Sequence, residues 1–326
     1  MFLHKESTLK LRYNEMKIPI IGYDTTFHFM CVKKYFLNED EQVKAALSEA
    51  IDAGYRLIFC DPRVKGNERA VGEALKEKLE EKKVQREELF IVTKVYLSHT
   101  TGFVEESIKK SLEALQLDYV DMLLLFCPVD SDTKPYGPDY TEAWRGMQNS
   151  YYKKYAKSLG LCNFTSNKIE CILKIATVKP SANLMNCNVF MNCKDLRKYL
   201  KKHKIVLLTN NLYGSVGIAS IDPGRESPDK VHLNQLVPIK ELSEKYNKTN
   251  CQIAIRYLLE IEAVPLVKSG FDSSIRANID VFDFNLDKSE MKMLNAIDDG
   301  NYDPSLKLYN KYPEDYAYID LSNLKI

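Results

Sequence analysis

The sequence lacks most of the features that assign a function quickly. Its 46 basic and 45 acidic residues leave a formal charge of +1, so no global field draws the chain to nucleic acid. Basic and aromatic residues are not interleaved on any one segment, and no nucleic-acid partner is expected. No apolar run approaches membrane-spanning length, and the opening Met1-Phe2-Leu3-His4-Lys5-Glu6 has no apolar leader core. The expected compartment is therefore cytoplasmic, with no membrane partner. The glycine-rich G-x-G-x-x-G turn of an open doubly wound sheet is missing. Cys31, Cys60, Cys127, Cys162, Cys171, Cys187, Cys193 and Cys251 form no CxxC pair, which argues for reduced, buried thiols over a disulfide framework. The five histidines (His4, His28, His99, His203, His232) have no acidic or thiol partners at metal-ligand spacing, so no metal is expected. Without a leader, the triplets Asn163-Phe164-Thr165 and Asn247-Lys248-Thr249 read as chance matches to the glycosylation pattern.

What remains is an ordinary globular composition, 45% hydrophobic and 28% charged, with strong alternation of elements. Short apolar runs at Ile18–Gly22, Arg56–Cys60, Leu89–Val95, Tyr119–Phe126, Ser158–Asn163, Ala182–Asn188, Ile205–Asn210 and Val264–Lys268 read as strands buried on both faces. Segments of helical period lie between them: Asp40–Ala53, Glu68–Lys82 with Asn67 as cap, Val104–Leu115, Cys193–Lys204, Cys251–Ile261 capped by Thr249 or Asn250, and Ser289–Ile297. The lysines of Cys193–Lys204 suit a solvated helix C-terminus better than a binding patch. Eight strands in βα order close most economically into a single (β/α)8 TIM barrel over residues 1–326; an open doubly wound sheet is the runner-up. Residues Ser7–Pro19 are expected to add an N-terminal β-hairpin across the barrel bottom, turning at Asn14-Glu15.

Four stretches carry a more specific signal. They are Asp52-Ala53-Gly54-Tyr55-Arg56, Gly66-Asn67-Glu68-Arg69-Ala70-Val71-Gly72, Leu89-Phe90-Ile91-Val92-Thr93-Lys94 and Leu117 to Phe126. Their order and spacing closely resemble the aldo-keto reductases, and the likeness extends over nearly the whole chain. The resemblance implies a (β/α)8 barrel, NADPH as cofactor and a small carbonyl compound as substrate. It also implies an Asp, a Tyr, a Lys and a His at four strand ends. Of these only the lysine is in place, as Lys94. The tyrosine slot is Lys65, the carboxylate slot falls at Phe59 or Cys60, and the histidine slot is Phe126. Asp61 lies close enough in sequence to swing in and neutralise Lys94. Tyr96 either lines the pocket wall or serves as a substitute acid. His28 and His99 read as loop histidines, either of which could replace the missing one.

For the cofactor, Lys268, Ser269 and Asn278 match family positions that grip the 2′-phosphate and adenine, and Asn163 matches one that contacts the nicotinamide amide. Ser274, Cys162, Leu184 and Asn210 depart from the family pattern. Asp24, in Gly22-Tyr23-Asp24-Thr25, brings bulk and negative charge near a pyrophosphate site. Gly217–Lys230 resembles the clasp over the pyrophosphate, and the acidic, aromatic tail Tyr309–Tyr318 either covers the barrel mouth as a C-terminal loop or packs on its rim. The segment between Pro128 and Trp144 is shorter than in typical members. With three of four catalytic roles empty, efficient carbonyl reduction by the family mechanism is not expected, because losing one such group typically costs about a hundredfold. The first reading is a diverged reductase with activity lost or very weak that binds NADPH weakly. The second is an active NADPH-dependent oxidoreductase that recruits Lys65, Asp61, Tyr96 or a loop histidine. The third is a structural or interaction protein without cofactor. The residues specify no protein partner.

Overall fold

A computed structural model describes residues 3–11, 15–26, 39–97, 102–126, 140–213, 233–270 and 272–298. Eight of the apolar runs pair side by side into a closed barrel: β3 (Gly22–Asp24), β4 (Leu57–Phe59), β5 (Phe90–Tyr96), β6 (Met122–Phe126), β7 (Leu159–Cys162), β8 (Ala182–Asn186), β9 (Val206–Asn210) and β10 (Ala263–Val267). Each runs parallel to the next, and β10 returns to β3 through Leu266 opposite Gly22. The fold is thus the expected (β/α)8 barrel. Outside it stand α1 (Glu39–Ala53), α2 (Asn67–Glu80), α3 (Phe103–Leu115), α4 (Tyr140–Tyr152), α5 (Ser166–Ile175), α6 (Lys194–His203), α7 (Val237–Tyr246), α8 (Asn250–Glu260), α9 (Asp272–Ile279) and α10 (Lys288–Asn295). No helix among the described residues is long and apolar enough to cross a membrane.

The pleat explains why the strands read as unbroken apolar runs. Leu57, Phe59, Phe90, Val92, Met122, Leu124, Phe126, Leu184, Leu208 and Leu266 fill the barrel interior, whereas Ile58, Cys60, Ile91, Leu123, Leu125 and Leu161 pack outward among the helices. Both faces are dry, so no polar alternation survives. The N-terminal hairpin pairs β1 (Thr8–Lys10) with β2 (Lys17–Pro19), and Leu11 and Ile18 join the interior cluster beside Leu57 and Phe90. Those are the first residues of their strands, so the hairpin closes the bottom of the barrel. The single strand expected at Ile18–Gly22 is therefore two: Ile18 belongs to the hairpin, and the barrel strand begins at Gly22.

One local expectation at the start of α2 is also corrected. Asn67 does not cap the helix; the cap position is Gly66, in left-handed backbone at φ 77°. Asn67 turns inward instead, donating to the Thr25 carbonyl at 2.8 Å and accepting from the Asp61 backbone N–H at 3.0 Å. One amide thus ties the end of β3 to the loop after β4. Five residues along, a Cβ on Gly72 would meet the Ala114 carbonyl oxygen at 2.6 Å, so α2 and α3 approach closely only because this residue is glycine. The remaining helix ends differ by a residue or two, and at α8 the cap is Thr249, with Gln252 completing a reciprocal capping box.

Glu68, in the first turn of α2, is buried and accepts a 2.6 Å hydrogen bond from the Thr93 hydroxyl. Burial pushes its carboxyl up to about 7; bonds from Thr93 and Ser111 pull it back, and the Asp61 charge adds to the rise. A carboxyl raised above its ordinary 4.5 favours the folded state when protonated. Its contribution is therefore complete below pH 4.5 and is lost as pH rises to about 7. Urea denaturation of Glu68→Gln should lose this fall between those pH values and be more stable than the parent above it, relative to acid. An unchanged pH profile would contradict the assignment.

Candidate active site

Lys94 lies near the C-terminal end of β5 with the same inward parity as Phe90 and Val92. Only 8% of its surface is exposed. Asp61, just past β4, folds back on a tight turn in which its carboxylate accepts from the Arg63 backbone N–H at 3.0 Å. Asn67 fixes the same loop from the other side. The result places Asp61 Oδ2 2.8 Å from Lys94 Nζ. Two residues beyond Lys94, the Tyr96 hydroxyl donates to the same carboxylate, 2.7 and 2.8 Å from its two oxygens. Three aromatic rings surround the ammonium: Tyr96 at 5.1 Å, Phe126 at 5.3 Å and Phe59 at 5.4 Å from their centroids. The Arg63 guanidinium lies 3.5 Å over the Tyr96 ring, and Tyr96 packs tilted on Phe126 at 4.7 Å.

Burial disfavours both charges of the pair, but their attraction outweighs it. Lys94 is held well above the ordinary lysine value by the Asp61 carboxylate, and Asp61 below the carboxylate range by the Lys94 ammonium with help from Tyr96 and the Arg63 N–H. The Tyr96 phenol moves the other way. Burial pushes it well above its ordinary value, and although Lys94 pulls it down, the Asp61 carboxylate adds to the rise. Burial is the largest cause, and it leaves the proton on the phenol. A lysine touching a tyrosine directly lowers its pKa, whereas a carboxylate placed as the tyrosine's acceptor retains its proton.

The pleat separates the two residues matched to the carboxylate slot. Phe59 points into the barrel, and Cys60 points out, its thiol donating to the Val92 carbonyl at 3.4 Å. Phe126 also points inward. Lys65 stays apart: it is exposed on the turn before α2, and no hydrogen bond or ion pair joins it to Asp61, Lys94 and Tyr96. Sequence reasoning missed Arg63 and left Tyr96 between two roles. The placement of Arg63 two residues after the acid was a weak signal, since nothing in the spacing says over which ring it folds.

The residues matched to a cofactor occupy other parts of the rim. Lys268 follows β10; its Nζ donates to the Thr26 carbonyl at 2.8 Å and lies 3.6 Å from Asp24 Oδ2. Asp24, fully buried at the inward end of β3, accepts through Oδ1 from Thr26 N–H and hydroxyl at 2.8 and 2.6 Å. Its Oδ2 has no hydrogen-bond donor. The Ser269 carbonyl accepts from the Tyr23 hydroxyl, and Asn278 is buried on α9. Asn163 sits after β7 in left-handed backbone at φ 63°, its N–H on the Leu184 carbonyl. No group of three or more metal-ligating side chains occurs among the described residues. His28, His99, the segment 217–230, the segment between Pro128 and Trp144 up to residue 139, and the tail Tyr309–Tyr318 with its C-terminal loop lie outside the described residues.

The sequence matches the Aldo/keto reductase family over residues 33–299. The chain belongs to that family. It is 32% identical over 302 residues to aldo-keto reductase family 1 member A1 of Gallus gallus, covering 87% of each. The Homo sapiens protein of the same name is 32% identical over 302 residues, with 88% of each covered. Among solved structures, the Bombyx mori aldo-keto reductase in complex with NADP superposes with a TM-score of 0.80 at 27% identity, covering 96% of this chain and 98% of that one.

Removing one member of a buried ion pair leaves the other uncompensated, at a cost of about 3–5 kcal/mol. Asp61→Asn should therefore lower stability by that order in chemical denaturation. Combining it with Lys94→Met should recover much of the loss, because no charge is then stranded among the three rings. A double variant less stable than Asp61→Asn alone would contradict the pairing.

Proposed function

We propose that this chain is an NADP(H)-binding aldo-keto reductase whose carbonyl reductase activity is lost or very weak. The observation that carries this reading is the Tyr96 hydroxyl hydrogen-bonded to the carboxylate that neutralises Lys94. Carbonyl reduction needs an acid to protonate the oxygen as negative charge builds on it. If Tyr96 gave up its proton, a phenolate would stand beside Asp61 with one ammonium between two anions. Phe59 and Phe126 add apolar surface at the same level, with neither a donor nor an acceptor.

The rim residues fit a dinucleotide best at its phosphate end. Lys268 supplies an exposed ammonium, Ser269 a hydroxyl and Asn278 an amide, a donor set suited to phosphate and adenine. The unpaired Asp24 Oδ2 is an acceptor that a ribose hydroxyl can satisfy. Asn163 carries an amide on the opposite side, after β7. When bound, NADPH supplies a hydride; the protein's own part is to hold the nucleotide and to present a small carbonyl compound near Lys94 and Tyr96. The second reading is an active oxidoreductase in which Tyr96 serves as the acid; it draws on the same contact, since a tyrosine, a lysine and a carboxylate do meet here.

NADPH titration followed by thermal shift tests binding, and NADPH consumption with aldehydes, ketosteroids and quinones tests turnover. The expected outcome is a melting temperature that rises with NADPH, together with turnover at least about a hundredfold below the roughly 10 s⁻¹ of a typical enzyme. Ordinary turnover abolished by Tyr96→Phe would establish the second reading. Neither binding nor turnover would leave a barrel with a structural or interaction role.

A further inference from the structure

We propose that Asp24 sets how this barrel discriminates between dinucleotides, by holding Lys268 as its internal counter-ion in competition with the cofactor's 2′-phosphate. The inference rests on the reading above, in which Lys268 faces that phosphate. Its own observations are independent of it. Asp24, the last residue of β3, carries a fully buried carboxylate. One oxygen is anchored by the Thr26 N–H and hydroxyl, so the side chain is oriented before any ligand arrives. The other oxygen has no hydrogen-bond donor and lies 3.6 Å from the Lys268 ammonium. Lys268 in turn donates to the Thr26 carbonyl at 2.8 Å, so the same short segment holds both members of the pair.

A cation held this way is a weaker phosphate grip than a free one. To reach a phosphate, the ammonium must leave the Thr26 carbonyl and share its charge between two anions, which repel each other at close range. A ribose hydroxyl meets no such penalty, because it can donate to the unpaired carboxylate oxygen. NADPH and NADH both carry ribose hydroxyls, whereas only NADPH carries the 2′-phosphate. The advantage that Lys268 would give to NADPH is thereby reduced. Asparagine at this position keeps the acceptor that Thr26 uses and removes the charge.

The test is equilibrium titration of the full chain with NADPH and with NADH, read by nicotinamide fluorescence rather than turnover. The wild type should bind the two within about tenfold of each other, and Asp24→Asn should tighten NADPH on the order of five- to tenfold while changing NADH less than about twofold. In an Asp24→Asn, Lys268→Gln double variant that gain should disappear. A wild-type preference for NADPH above about a hundredfold overturns the inference even if no variant folds. So does an unchanged ratio in Asp24→Asn, or a gain that persists without Lys268; in both cases NADPH binding itself would still support the function proposed above. Failure of wild type and Asp24→Asn to bind either dinucleotide overturns both.

Discussion

The carboxylate of Asp61 accepts from two donors that would otherwise face each other, the Lys94 ammonium and the Tyr96 hydroxyl, and the barrel mouth is arranged around that fact. Lys94 is tolerated among Phe59, Tyr96 and Phe126 because a full negative charge lies 2.8 Å away. Without it, an ammonium in so dry a place would lose its proton or draw in water. Cation–π attraction from three rings helps, but each such contact contributes about 0.5–2 kcal/mol, less than desolvation of an unpaired charge costs. Asp61 in turn is held by the Arg63 N–H and, through its backbone, by Asn67, which also grips Thr25. The ion pair and the end of β3 are thus one connected unit.

The same theme recurs on the other side of the mouth. Lys268, the cation nearest the end of β10, lies by Asp24 just as Lys94 lies by Asp61. In each case a lysine expected to act on a bound molecule has an acidic partner within the chain. Pairing blunts the field a substrate or phosphate would meet. The two pairs differ in setting: Lys94 is enclosed, whereas Lys268 is partly exposed and free to exchange partners. That difference separates a buried cluster from a cation at the rim.

Much of the fold was legible because its causes are periodic. Strands dry on both faces gave continuous runs of Val, Ile, Leu and Phe, and the helices between them carried an apolar stripe. The boundary at Ile18–Gly22 was not legible, because a hairpin strand and a barrel strand follow each other with no polar break. Asn67 read as a helix cap, since an amide at a helix start normally serves that purpose; here Gly66 takes the cap position and frees the side chain to bridge two loops. In the site, the Asp61–Lys94 ion pair could be anticipated from the resemblance and from the place of Asp61 in the sequence. Which of Phe59 and Cys60 faces the interior depends on the pleat. The Tyr96–Asp61 bond and the Arg63 stacking depend on how a turn folds back in space, which spacing along the chain does not encode.

Tyr96 keeps its proton because burial and the Asp61 carboxylate outweigh the pull of the Lys94 ammonium. Ultraviolet difference titration of wild type against Tyr96→Phe isolates that one phenol. Its ionisation is expected well above the ordinary tyrosine value of 10.0, beyond the point where exposed tyrosines titrate. A Tyr96 signal that titrates at or below that value would mean that Lys94 governs the phenol, and the site would then hold a usable acid.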